Sequence, residues 1–171
     1  MKRAIFYILL YVVLCIVQFS FGQFLNIGGV FPNIILIAVI FVALFDGQLP
    51  AEVLGFILGL TWDIFSTDVL GARAVMFATL GYFLGTLRGS FERDQLFAQF
   101  AVSLFACITF WAGFSIIIAL LPEGSFGAVP FEITFKGILK VMITVLLTPI
   151  VFGILKFLLP RRRSQWYEDE F

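Results

Sequence analysis

The sequence predicts an all-α integral membrane protein that crosses a lipid bilayer as six transmembrane helices. Hydrophobic residues make up 61% of the 171 residues, whereas a soluble domain has about 45–50%. Charged residues make up only 13%, against about 25% in a soluble domain, and the mean hydropathy is +1.09. A soluble chain of this length cannot hide so much apolar surface, whereas lipid is a solvent that accommodates it.

Six apolar segments account for this composition, at residues 4–25, 31–45, 50–65, 70–87, 96–121 and 135–159. A helix needs roughly 20 residues to cross the hydrocarbon core, so the second and third segments are short. The fifth is long enough to tilt, and Pro149 is expected to kink the sixth. The first segment follows Lys2 and Arg3. No small-residue cleavage site comes after it, so we expect a retained helix rather than a signal peptide.

The basic residues favour six crossings over five, because Lys and Arg accumulate in short cytoplasmic loops. With six helices, one side of the membrane holds Lys2, Arg3, Arg88, Arg93, Arg161, Arg162 and Arg163. The loops on the other side, at 22–30 and 122–134, then contain neither Lys nor Arg. With five helices, the two basic ends face opposite sides. The pattern therefore predicts six helices with both termini in the cytoplasm.

The connections between these segments are too short to form a second folding unit. We expect one membrane domain over residues 1–171, ending in a short cytoplasmic tail at 160–171. The sequence has no basic stripe interleaved with aromatic residues, which argues against nucleic-acid binding. It has no histidine, and Cys15 and Cys107 lie in apolar runs without metal-ligand spacing. No GxSxG, HExxH or P-loop motif occurs, so we expect neither an enzyme nor a bound cofactor or metal.

Charged side chains inside a membrane are costly, so each one is a candidate functional residue. The candidates are Glu52, Asp63, Asp68, Arg73, Lys136 and Lys140. On the sixth helix the two lysines continue, at steps of four residues, into a polar stripe with Thr144 and Thr148. The six-helix topology places Lys140 in the outer half together with Asp63, Asp68 and Arg73, and so predicts a charge-paired cluster. Two alternatives stay open: pairing without a ligand, or simple interfacial positions for Glu52 and Asp63.

Two glycine pairs predict close contacts between helices. Gly55 and Gly59 on the third segment, and Gly81 and Gly85 on the fourth, have the GxxxG spacing that lets two helix backbones approach. Two uses stay open, packing within this protein and a face for a partner helix. Gly81 and Gly85 are our candidates for the partner face.

The middle of the chain resembles a known family. Pro32-Asn33 opens the second helix, and Leu70-Gly71 leads to Gly81-Tyr82-Phe83-Leu84-Gly85 on the fourth. Between them the third helix carries Gly55-Phe56-Ile57-Leu58-Gly59-Leu60-Thr61-Trp62-Asp63. This order, with a basic N-terminus and a short basic tail, is similar to the bacterial rod shape-determining protein MreD family, most clearly over residues 31–88.

The resemblance implies a non-enzymatic scaffold of the cell-elongation (rod) complex in the cytoplasmic membrane, needed for rod shape and directed peptidoglycan synthesis. It implies MreC as a direct partner, RodA with its partner transpeptidase, and MreB through the complex. It also implies a fold similar to the substrate-binding subunits of energy-coupling-factor transporters. A substrate-binding subunit of a vitamin-type transporter is accordingly the alternative function, for which Asp63, Lys140 and Thr144 would line the pocket.

Overall fold

The computed structural model describes residues 2–20, 30–66, 69–89, 96–119 and 131–158. These residues form the helices α1 (Lys2–Ser20), α2 (Ile34–Asp46), α3 (Gln48–Phe65), α4 (Ala72–Thr86), α5 (Leu96–Ala119) and α6 (Phe131–Leu158). A short 3₁₀ helix, Leu87–Gly89, follows α4. The prediction of an all-α protein with six helices is therefore confirmed for the part of the chain that the structure describes.

The helices differ in how clearly their lengths suit a membrane crossing. Two stretches, Leu96–Ile117 in α5 and Lys136–Leu158 in α6, are long and apolar enough to cross a membrane. Ile5–Ser20 in α1 and Ile34–Asp46 in α2 are shorter apolar stretches. A 13-residue helix is about 20 Å long, so α2 alone does not reach across a hydrocarbon core of about 30 Å. Six crossings stay a prediction.

α2 is the centre of the bundle and contacts each of the other five helices. Its side chains from Ile35 to Ala43 are at most 1% exposed, as expected for a helix that is hydrophobic on every face. Phe41 stacks on Phe45 and meets the edge of Phe152 of α6. The surrounding helices turn apolar side chains outward, among them Ile8, Ile64, Phe83, Phe105 and Ile150.

Gly47 alone separates α2 from α3. Its φ of 101° lies in the left-handed region, which glycine enters without the steric cost of a Cβ. The Gly47 N–H donates to the carbonyl of Val42 at 3.1 Å, which closes the end of α2. The chain can therefore turn from α2 into α3 without a loop.

The glycine pairs bring α3 and α4 together as a close-packed hairpin. A Cβ added to Gly59 would lie 2.5 Å from the Cα of Ala74, and one on Gly55 would lie 2.7 Å from the carbonyl oxygen of Phe77. On α4, a Cβ on Gly81 would lie 2.7 Å from the carbonyl of Ala51. Each neighbour is backbone, which cannot rotate away, so the two helix axes approach as closely as they do only because these side chains are absent.

The ends of the sixth segment differ from the prediction. α6 begins at Phe131, so residues 131–134, which we expected in a loop, are helical. Pro130 directly precedes this start, and proline is common at the beginning of a helix because its missing N–H has no partner there anyway. Pro149 lies inside α6, which continues beyond it to Leu158. The kink at Pro149 stays a prediction.

We expect Gly59→Ala to lower the stability of the purified protein by about 1–3 kcal/mol, because the new methyl group forces two backbones apart. Thermal unfolding in detergent, followed by circular dichroism, measures the loss. The matched control is Gly153→Ala on α6, where a Cβ would meet nothing within 4 Å. Equal melting temperatures for the two variants would show that α3 and α4 do not pack through these glycines.

Candidate functional site

Asp63, near the end of α3, binds the beginning of α4. Its side chain is fully buried, and its Oδ2 accepts hydrogen bonds from the backbone N–H groups of Arg73 at 3.0 Å and Ala74 at 3.2 Å. These are two of the first N–H groups of α4, which have no partner within the helix. Gly71 at the N-cap has no side chain with which to bond them, so a carboxylate from another helix does so instead.

The Arg73 side chain returns to the same carboxylate. Its Nη1 lies 3.2 Å from Asp63 Oδ1 in an ion pair and donates to the Ser66 hydroxyl at 2.8 Å. The guanidinium group also lies 4.8 Å from the ring centre of Phe114 and 5.5 Å from that of Trp62. Lys140 Nζ lies 5.8 Å from the Trp62 ring. Two cations from α4 and α6 therefore gather around one aromatic ring of α3.

The beginning of α2 lies beside this cluster and is bonded by its own N-cap residue and by two other helices, α1 and α6. Asn33 Oδ1 accepts from the N–H of Leu36 at 3.0 Å, and the Asn33 N–H donates to Thr144 Oγ1 of α6 at 3.1 Å. The Ile34 N–H donates to Gln18 Oε1 of α1 at 3.1 Å. Gln18, Asn33 and Thr144 are all buried. The N–H groups of Asn33, Ile34 and Leu36, at the start of a helix with no polar face, are thus satisfied inside the protein.

A cavity of about 120 Å³ lies where these elements meet. Its lining is Asn33, Leu36, Arg73, Cys107, Phe110, Trp111, Phe114, Gly137, Lys140, Val141 and Thr144. The polar groups come from α2, α4 and α6, while α5 supplies mainly aromatic rings. The cavity therefore has a basic, hydrogen-bonding inner wall and an apolar outer wall.

A second polar cluster holds the opposite end of the bundle. The Tyr7 hydroxyl donates to Asp46 Oδ2 at 2.8 Å, and Arg88 Nη1 donates to the Asp46 carbonyl at 2.9 Å. Lys156 Nζ lies 5.4 Å from the Phe45 ring. Here too, polar side chains from other elements, namely α1, the 3₁₀ helix and α6, contact the end of α2. Nearby, an apolar groove of about 440 Å³ runs between α1 and α3 and contains Tyr7, Tyr11 and Val53.

The predicted polar residues only partly come together. Asp63, Arg73 and Lys140 lie in one cluster, with Asp63 and Arg73 paired. Glu52 is half-buried near the start of α3, about 16 Å along the helix from Asp63. Lys136 is exposed and does not line the cavity. Asp68 lies outside the described residues.

The partner face expected at Gly81 and Gly85 needs a correction. Both glycines are buried and lie against the α3 backbone at Ala51 and Gln48, so they present no free surface to another protein. The physical reason is that α3 itself fills the groove that the missing side chains create. Of the two uses left open for the four glycines, the contact found is the one within this protein.

Sequence reasoning missed Gln18, the Tyr7–Asp46 bond and the bonding role of Asn33. A signal for Asn33 is present, since asparagine directly before an apolar helical run is a preferred N-cap. Gln18 is one polar residue in an apolar segment, and its partner 16 residues away is visible only in the fold. Among the described residues, no group of three side chains is arranged to hold a metal ion.

Comparison with known proteins identifies a family. A family model described as rod shape-determining protein MreD matches residues 2–158, nearly the whole chain. No curated protein and no solved structure matches the sequence. The expected similarity to substrate-binding subunits of energy-coupling-factor transporters stays a prediction.

We expect Asp63→Ala to destabilise the protein by about 3–5 kcal/mol, because it leaves Arg73 without its buried counter-charge and two N–H groups of α4 without an acceptor. Asp63→Asn keeps an acceptor oxygen, so its loss should be smaller. Thermal unfolding in detergent measures both. Glu52→Gln on the same helix is the control, with an expected change within about 0.5 kcal/mol. Equal stability of Asp63→Ala and Glu52→Gln would contradict the capping role.

Proposed function

Because the chain belongs to the rod shape-determining protein MreD family, we propose that it is a non-enzymatic scaffold of the cell-elongation complex. Membership of this family makes it a membrane protein of rod shape determination. The scaffold role is our proposal, and the match of the family model to residues 2–158 supports it. In this role the protein holds its partners together in the cytoplasmic membrane so that peptidoglycan synthesis follows the cell axis.

The use of the polar groups supports this proposal. The side-chain oxygen atoms of Asp63 and Gln18 accept hydrogen bonds from the backbone of neighbouring helices, and that of Asn33 caps its own helix. A catalytic carboxylate has to meet a substrate, whereas the Asp63 carboxylate accepts hydrogen bonds from three N–H groups within the protein, the backbone N–H groups of Arg73 and Ala74 and the Arg73 guanidinium. Groups bonded in this way fix the shape of a helix bundle, and a fixed apolar exterior is what a membrane scaffold presents to other helices.

The partners we propose are those of the rod complex. MreC is the direct partner, RodA and its transpeptidase join through it, and MreB joins through the complex. Since Gly81 and Gly85 are buried, docking has to use outward-facing side chains. α1 and α3 together expose Ile8, Val12, Leu49, Val53 and Ile57.

We further propose six crossings with both termini in the cytoplasm. Arg88 and the N-terminal half of α1 lie at the same end of the bundle, since Arg88 and Tyr7 both bond Asp46. This grouping agrees with the positive-inside pattern. The cavity beside Asn33, Arg73 and Lys140 then lies in the outer half of the membrane.

One observation favours the alternative function of a vitamin-type transporter subunit, namely a cavity with convergent polar groups from Asn33, Arg73, Lys140 and Thr144. Its size argues against that function. Sites for small molecules usually measure about 300–1,000 Å³, whereas this cavity measures about 120 Å³. The scaffold proposal therefore stands first.

The topology is tested with single cysteines at positions 28, 89 and 127 in a variant lacking Cys15 and Cys107. A membrane-impermeant thiol reagent added to whole cells should label positions 28 and 127 but not 89. Breaking the cells open should expose position 89 to the reagent, which controls for a buried thiol. Labelling of position 89 in intact cells would contradict the topology.

The function is tested by depletion in a rod-shaped host. We expect cells to round up and lose directed wall synthesis, and MreC to co-purify with the wild-type protein. Re-expression of the wild-type chain should restore rods, while Asp63→Ala should fail because its bundle is destabilised. Rod shape maintained after full depletion, together with a vitamin bound to the purified protein, would decide for the transporter subunit.

A further inference from the structure

The outward side of α4 carries only a short apolar surface. α4 is 15 residues long, about 22 Å, and the large apolar side chains that it exposes lie within this length at Val75, Tyr82 and Phe83. On its neighbour α3 the exposed apolar side chains begin at Leu49 and end at Phe65, which is at most about 24 Å along the helix. A typical hydrocarbon core is about 30 Å thick, so this side is too short for it by roughly 6–8 Å.

The outward side of α5 and α6 is longer. On α5 the exposed apolar side chains begin at Leu96 and continue to Ile116, about 30 Å along the helix, and no charged residue interrupts α5. On α6 they continue from Ile138 to Phe157, about 28 Å. The two lysines that α6 carries within this range lie over aromatic rings of α3 and α2, so its outward side stays apolar. These two helices therefore match a bilayer of ordinary thickness.

The hairpin of α3 and α4 cannot lengthen to match its neighbours. Its two helices are in close backbone contact at Gly55, Gly59 and Gly81, and the buried Asp63 carboxylate holds the start of α4. Transmembrane helices tilt by about 20° on average, but a tilt shared by the bundle shortens every helix in the same proportion. A difference of about 6 Å, or about four residues of helix, therefore remains between the two sides.

Lipid is the occupant that fits the outward side of α4. Helices that pack together in a membrane meet through small residues, and on α4 the small residues Gly81 and Gly85 are buried against α3. The exposed hydroxyl groups of Thr79 and Thr86 donate to carbonyls of their own helix, so neither needs water or a partner. This side therefore presents large apolar side chains without a notch for a second helix, and acyl chains can cover such a surface.

We propose that the bilayer is thinner beside α4 than beside α5, and that phospholipids with short acyl chains gather along α4. A bilayer is softer than a packed helix bundle, so the lipid thins or exchanges for shorter chains where the apolar surface is short. The inference goes beyond the scaffold function, but it rests on the proposed six crossings, because α4 has to lie across the membrane. A protein with two such sides imposes a step in thickness on the membrane around it.

Two matched reporters measure which lipid each side prefers. Phe83 of α4 and Phe105 of α5 are both 59% exposed. Phe83→Cys and Phe105→Cys are made separately in the variant lacking Cys15 and Cys107, labelled with a fluorophore and reconstituted into phosphatidylcholine vesicles. A fixed fraction of spin-labelled lipid quenches the fluorophore, and phosphatidylcholines with chains of about 14, 18 or 22 carbons compete with it for the protein surface.

We expect the short-chain lipid to compete at least about threefold better than the long-chain lipid at position 83, because the cost of a mismatch rises with each ångström. At position 105 the long-chain lipid should compete at least as well as the short-chain one. A second pair, Val75→Cys on α4 and Ile108→Cys on α5, replaces side chains that are 54% and 52% exposed and should give the same result. This pair also serves if a label at the first pair disturbs folding.

The same order of preference on both sides would overturn the proposal. Quenching at position 105 without any at position 83 would overturn it too, since a second copy of the chain would then cover α4. The cysteine labelling of position 89 tests the six crossings separately. Equal preferences in a protein whose position 89 is cytoplasmic would therefore contradict the thinner bilayer alone, and would leave the topology and the scaffold function untouched.

Discussion

The start of α2 is the constraint on which the rest of the structure depends. A helix buried on every side has to bond its first N–H groups within the protein, because neither lipid nor the apolar core supplies an acceptor. Gln18, Asn33 and Thr144 supply them from α1, from the N-cap and from α6. An unsatisfied group in an apolar medium costs several kcal/mol, so the same bonds that permit the burial of α2 also fix the positions of two neighbouring helices.

The start of α4 is satisfied in a similar way by Asp63, which belongs to another helix. This bond requires α3 and α4 to lie close together, and the glycines of the hairpin permit that distance. Close packing and capping therefore depend on each other. As a consequence, two helix starts and two cationic side chains meet at one end of the bundle, which produces a small basic cavity next to an aromatic wall.

This arrangement bears on how a member of the rod shape-determining family contributes to cell shape. Several of its polar side chains bond its own helices, and many of its outward-facing side chains are apolar. Helices in lipid associate through packing and a few polar contacts rather than through the hydrophobic effect. A bundle fixed by such bonds would therefore offer the partners proposed above a surface of defined shape.

The sequence by itself determined the number and approximate limits of the helices, since long apolar runs separated by Gly, Pro and charged residues predict them directly. It also marked Asp63 and the four glycines as candidates, because a charge inside an apolar run is costly and a GxxxG pair permits close helix contact. The tertiary structure decided which helix lies in the centre. It also decided that Gly81 and Gly85 face inward, and that Gln18 reaches the start of α2. The physical reason is that an apolar side chain has about the same free energy against lipid as in the protein core. Hydrophobicity therefore does not distinguish the inside of a membrane protein from its outside. Hydrogen bonds and close backbone contacts do distinguish them, and both depend on partners far away in the sequence.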